Sequence, residues 1–130
     1  PVEADFLYAF VSTQRPRRIV QIGCGVSTAV CLLGASEAGY IPAITCVEPY
    51  PNQFLQAAAR AGEITLLPQP VETLDYAFLA DLGPGDLFFV DSSHTLGPAG
   101  EVTRIVLEML PRLAAGVRPA RARRARRPAA

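Results

Sequence analysis

The sequence contains no lysine, no tryptophan, one histidine and one methionine. A single histidine excludes a multi-histidine metal centre. It also leaves one side chain whose ordinary pKa lies near neutrality. The three cysteines, Cys24, Cys31 and Cys46, have neither zinc-site spacing nor an even count for disulfides. A reducing, cytoplasmic setting is therefore expected. No run of about 18 apolar residues occurs, so no membrane span is expected. The first residues lack a basic stretch followed by an apolar one, so no secretory leader is read there.

The 130 residues are half hydrophobic, enough for one domain with a core. The net charge of zero conceals two unlike parts. Residues 1–117 hold six arginines and all twelve acids, a balance of −6. Residues 118–130 hold the other six arginines and no acid, a balance of +6. A mildly acidic domain carries a short basic tail.

The organising stretch is Arg18 to Thr28, RIVQIGCGVST. Ile19 to Ile22 is β-branched and apolar, apart from Gln21, and reads as a buried strand stopped by glycine. Gly23 and Gly25 make a sharp turn, and from Thr28 to Ala38 the pattern is helical. Such a turn leaves free backbone N–H groups beside a gap. Glycine lets a ligand approach where a Cβ would clash. Ser27 is placed to cap the helix while offering a hydroxyl to the ligand.

The rest of the chain repeats the theme. Residues 1–12 carry Phe6, Leu7, Phe10 and Val11 at helical spacing and predict a leading helix. Ala43 to Glu48 is a second strand ending in an acid, halted by Pro49 and Pro51. Asn52 is a cap for a helix over Gln53 to Ala61, ended by Gly62. Glu63 to Leu67 is a third strand, broken by Pro68 and Pro70. Val71 to Leu82 reads as a short helix with Leu74, Phe78, Leu79 and Leu82 inward. Leu87 to Asp91 is apolar until its last residue, as a parallel strand covered on both faces should be. A polar loop, Ser92 to Thr95, and a helix over Ala99 to Leu113 follow. Repeated strand–helix units predict an α/β, Rossmann-like parallel sheet with helices on both faces. Ligands in such sheets bind at the carboxyl ends of the strands, where Gly23, Glu48, Val71 and Asp91 fall.

These residues resemble a class I S-adenosylmethionine-dependent methyltransferase, over about Arg18 to Leu113. The likeness is closest to the small-molecule branch, whose fourth strand reads like Phe89 to His94 here. Pro111 to Val117 resembles that family's lead-in to a fifth strand. The resemblance implies S-adenosyl-L-methionine as cofactor and a small-molecule acceptor methylated on oxygen or nitrogen. It assigns Gly23, Gly25 and Ser27 to the methionine part and Glu48 to the ribose hydroxyls, and it places the adjoining Thr28 among the cofactor-binding residues. A carboxylate can accept from both hydroxyls of a cis-diol. The adenine would meet Gln69, Pro70 and Val71. Asp91 would lie near the methyl-transfer site. The chain departs from the family at Gln21, where an acid is common and an amide must serve the amine. It departs again at Pro70, which stands where an acid is usual and leaves adenine contact to the Val71 N–H.

Bland alternatives stand beside each assignment. Glu48 is either the ribose acceptor or a strand-end acid bonded to local backbone. Asp91 is either functional or a loop cap. His94 is either a general base, as its pKa permits, or a solvated loop histidine. Asp91 and His94 are the candidates for removing a proton from the acceptor. No metal is expected, since the further ligands such a site needs are not in view. The cysteines read as core residues, with Cys24 reactive only if exposed. Two other functions compete. One is a fragment of a dinucleotide-binding oxidoreductase of the NAD type, whose G-x-G-x-x-G pattern would need glycine where Thr28 stands. The other is a non-catalytic domain binding a ligand or partner.

The final departure is the tail. Arg118 to Ala130 has no large apolar residue. The sheet is therefore expected to stop at about four strands, with the family's C-terminal strands missing and 118–130 a disordered tail on a 1–117 domain. The tail resembles an out-of-frame ending or a truncation of a longer methyltransferase. No nucleic-acid partner is expected for it. The fourth strand would form an exposed edge, open to self-association. Activity of such a chain is expected to be weak or absent.

Overall fold

The computed structural model describes residues 2–91 and 118–122. Along the chain come α1 (Val2–Gln14), β1 (Arg18–Ile22), α2 (Val26–Ala38), β2 (Ala43–Val47), α3 (Gln53–Arg60) and β3 (Thr65–Leu67). Two 3-10 turns follow, Val71–Thr73 and Tyr76–Asp81, then β4 (Leu87–Asp91) and β5 (Arg118–Ala122). The strands form one sheet in the order β3-β2-β1-β4-β5. Every pairing is parallel. The expected α/β, Rossmann-like sheet is thus present.

Alternation along the strands gives the sheet two apolar faces. Ile19 of β1, Ile44 and Cys46 of β2, and Leu87 and Phe89 of β4 pack with Leu7 and Val11 of α1, Cys31 and Ala35 of α2 and Leu55 of α3. Val20 and Ile22 of β1, Val47 of β2, and Phe88 and Val90 of β4 pack on the opposite side with Val71, Leu79 and Leu82. Leu7 and Val11 are four apart and so share the buried stripe of α1. Phe6 and Phe10 stack beside it with ring centroids 5.9 Å apart. α1 lies close against α2 because Gly34 has no side chain. A Cβ there would sit 3.3 Å from the Tyr8 carbonyl oxygen and 3.4 Å from Val11 Cβ.

Asn52 caps α3 as expected, its Oδ1 accepting from the Leu55 N–H at 2.9 Å. The helix expected over Val71 to Leu82 is instead the pair of 3-10 turns. Leu74 between them is extended, with ψ 143°. Asp75 starts the second turn by accepting from the Ala77 N–H at 3.0 Å. A local side-chain bond competes here with a continuous helix. Leu79 and Leu82 point inward as expected.

The fifth strand corrects the expectation that the sheet ends at β4. Arg118–Ala122 pairs with Leu87–Asp91 along the whole of β4, so neither the disordered tail nor the exposed β4 edge holds at these residues. Self-association through a bare β4 loses its premise with them. The physical reason is that pairing is made by backbone. A strand at the sheet margin needs partners on one side only, and a margin is where proline is tolerated. The absence of a large apolar side chain excludes a central strand, not an edge strand. The Ser92–Thr95 loop, the 99–113 helix and residues 123–130 lie outside the described residues.

Candidate functional site

The sheet aligns the ends of three strands. Ile22 of β1 is in register with Val47 of β2 and with Val90 of β4. The next residues, Gly23, Glu48 and Asp91, therefore emerge side by side at the carboxyl edge. This is also where the strand order reverses about β1, the place open α/β sheets bind ligands.

The loop from β1 to α2 needs both of its glycines. Gly23 has φ 75° and Gly25 φ 143°, conformations that L side chains rarely adopt. The Gly23 N–H donates to the Val47 carbonyl at 3.1 Å, tying the loop to the end of β2. Gly25 caps α2, its carbonyl accepting from the Thr28 N–H at 3.1 Å and the Ala29 N–H at 3.2 Å. A Cβ on Gly25 would meet only Asn52 Nδ2, at 3.9 Å, so the space over the loop is open among the described residues.

Ser27 departs from its expected role as cap. The cap is Gly25, and Ser27 sits inside the first turn of α2. It is 8% exposed, and its Oγ is buried with no hydrogen-bond partner among the described residues. A buried hydroxyl without a partner is costly. At a glycine-lined helix start, that orphan fits a polar ligand.

Glu48 is held from both sides. Its Oε1 accepts from the Cys24 N–H at 3.3 Å, and its Oε2 accepts from the Tyr50 N–H at 3.1 Å. Both bonds match the bland reading of a strand-end acid. They also aim the carboxylate at the glycine loop, and a carboxylate keeps lone pairs free for further donors. Tyr50, with 88% of its surface exposed, stands beside it. Pro49, Tyr50 and Pro51 do more than stop the strand, because the Tyr50 N–H anchors the acid. The signal was available, since proline on both sides confines Tyr50 next to Glu48.

Gln21 and Thr28 are not at the ligand edge. Both are 0% exposed. The Thr28 hydroxyl donates to Gln21 Oε1 at 2.7 Å, and Gln21 Nε2–H donates to Cys31 Sγ at 3.6 Å. Their expected contact with cofactor is replaced by contact with each other, because the alternation of β1 turns Gln21 toward α2. Val71 is also turned inward, into the core beside Val20, so its N–H is the group left for a ligand. Gln69 spends its amide locally, donating to Thr73 Oγ1 at 3.1 Å. Asp91 ends β4 at the edge, paired in register with Ala122. His94 lies outside the described residues.

The three cysteines are free and buried. Burial pushes the Cys31 thiol up to about 12. The neighbouring Cys46 thiol, together with burial, holds the Cys24 thiol well above the usual range. Cys24 is thus not the exposed nucleophile its place in the loop allowed. A second carboxylate, in the turn before β4, is structural. Asp86 is buried and accepts from the Arg18 N–H at 3.1 Å and the Gly83 N–H at 2.8 Å, pinning the start of β1. Among the described residues no helix is long and apolar enough to cross a membrane.

Comparison with known proteins adds three findings. A family model described as "Methyltransferase domain" matches residues 20–117. An uncharacterized protein of Archaeoglobus fulgidus is 33% identical over 86 residues, covering 62% of this chain and 38% of its own length. Two solved structures share the fold. The SAH-bound methyltransferase of Podospora anserina is 20% identical with a TM-score of 0.54, over 89% of this chain and 50% of that one. A Staphylococcus aureus protein described as a caffeoyl-CoA O-methyltransferase is 13% identical with a TM-score of 0.57, over 88% and 53%. The chain spans about half or less of the length of each.

Proposed function

Since the chain belongs to the methyltransferase-domain family, we propose that it binds S-adenosyl-L-methionine at its carboxyl edge and serves methyl transfer to an oxygen or nitrogen of a small molecule. The observation that carries this reading is the Cys24 N–H bond to Glu48 Oε1 at 3.3 Å. It fixes a diol-accepting carboxylate beside an open glycine turn.

The residues present fit the cofactor. The orphaned Ser27 hydroxyl and the free space over Gly25 take its methionine end. Glu48 takes the ribose hydroxyls, and the backbone at Val71 takes the adenine. When bound, the cofactor supplies a methyl group already activated on a sulfonium. The protein therefore needs to align the acceptor and to remove a proton. Asp91, at the end of β4, and His94, three residues on, are the groups assigned to that proton.

The test is binding of S-adenosylhomocysteine by calorimetry. Glu48→Ala removes a charged acceptor, worth about 1.5–3 kcal/mol, so affinity should fall by about one to two orders of magnitude. Equal affinity for Glu48→Ala and the parent would remove the ribose assignment. Binding of NAD in place of S-adenosylhomocysteine would replace the proposal with an oxidoreductase.

A further inference from the structure

Gln21 and Thr28 bracket the glycine loop, one at the end of β1 and the other in the first turn of α2. Between them lie the two positive-φ glycines and the unpartnered Ser27 hydroxyl. The bond joining them, at 2.7 Å, is the shortest contact in a small buried polar network. Cys46 belongs to the same network. Its Sγ lies 3.4 Å from Thr28 Oγ1 and 3.7 Å from Gln21 Oε1. Cys46 is the register partner of Gln21 on β2, two residues before Glu48. The Cys24 thiol, inside the loop, donates to the Gln21 carbonyl at 3.4 Å. One buried cluster thus touches β1, the loop, α2 and the strand that carries Glu48.

We propose that Gln21 and Thr28 are positioning residues, whose buried bond sets the shape of the Gly23–Ser27 loop and its distance from Glu48, and through these the affinity for cofactor. The inference rests on the reading of this edge as the cofactor site. A loop with two flexible glycines has many conformations open to it, and a ligand must select one. A satisfied buried bond across the base of the loop removes much of that freedom before any ligand arrives. No other hydroxyl among the described residues reaches Gln21, and its remaining side-chain partners are the longer, weaker contacts to the Cys31 and Cys46 sulfurs.

Thr28→Val keeps the shape and deletes the donor, while Thr28→Ser restores it. Amide hydrogen exchange at residues 24–26 is measured without ligand, alongside affinity for S-adenosylhomocysteine. Thr28→Val should speed exchange at those amides about tenfold and weaken binding about tenfold, the equivalent of one hydrogen bond of about 1.4 kcal/mol. Exchange in the cores of β1 and β2 should stay at the parent rate, and Thr28→Ser should recover both readouts. Gln21→Met, which removes the acceptor with little change of volume, should reproduce the loop effect if Thr28→Val does not fold. Parent-like exchange at 24–26 in a folded variant would overturn the proposal. So would a uniform rise over the whole sheet, which is the mark of lost stability alone. If the parent does not bind S-adenosylhomocysteine but the exchange pattern is as stated, the cofactor reading fails and the loop restraint stands.

Discussion

Ser27 sets the sharpest problem at the scale of single residues. Its hydroxyl is buried without a partner among the described residues, an arrangement that costs about 1–3 kcal/mol. Ser27→Ala removes that cost, so the unliganded protein should melt no lower than the parent, and up to several degrees higher. S-adenosylhomocysteine affinity should fall in the same variant under the proposed function, which makes this hydroxyl a partner of the ligand. Thermal melts and calorimetry on one sample check both halves. A lower melting temperature with unchanged affinity would make Ser27 an ordinary structural residue. Glu48 and Asp86 make a useful contrast at this scale. Each carboxylate accepts two backbone N–H groups. Only Glu48 does so at the end of a strand, where a ligand can reach its remaining lone pairs. Asp86 is consumed in holding β1 to the turn before β4.

The element that matters most is the loop joining β1 to α2. Gly25 adopts φ 143° with ψ −108°, outside the regions open to L residues. Among the described residues the nearest atom to a Cβ there is Asn52 Nδ2 at 3.9 Å, so the obstacle to substitution that they present is backbone strain and not crowding. Gly25→Val should destabilise the protein by about 1–3 kcal/mol, and S-adenosylhomocysteine binding should be lost as the loop relaxes and a side chain enters the open space. Chemical denaturation with a parallel binding titration reads both. A folded Gly25→Val protein with parent affinity would show that the ligand does not approach this turn. The β2–α3 connection works by a different device, with Asn52 capping the helix and the Tyr50 N–H fixing Glu48.

For the whole molecule, β5 changes the expected behaviour of the C-terminal segment. Residues 118–122 cover the edge of β4 along five register pairs. Deleting 118–130 should therefore lower the melting temperature and promote self-association, because it leaves the backbone of an apolar strand unpaired. Sedimentation and thermal unfolding of the shortened chain check this. A monomer with the parent melting temperature would mean that β5 contributes nothing to the sheet.

Local chemistry was enough to read the first four strands, the glycine turn, the Asn52 cap and the strand-end position of Glu48. Buried parallel strands are continuous apolar runs, and turns announce themselves by glycine and proline. The register of Ile22 with Val47 and Val90 was not legible, although it brings Gly23, Glu48 and Asp91 together. Nor were the inward turn of Gln21 and Thr28, the orphaning of Ser27, or the pairing of an arginine–proline–alanine segment with β4. Strand alternation says that Gln21 faces opposite to its neighbours, but not which face of the sheet α2 will cover. The crossover decides that, and it is a property of the assembled sheet. Edge pairing, likewise, is made by backbone groups that every residue except proline carries in full, so composition alone could not disclose it.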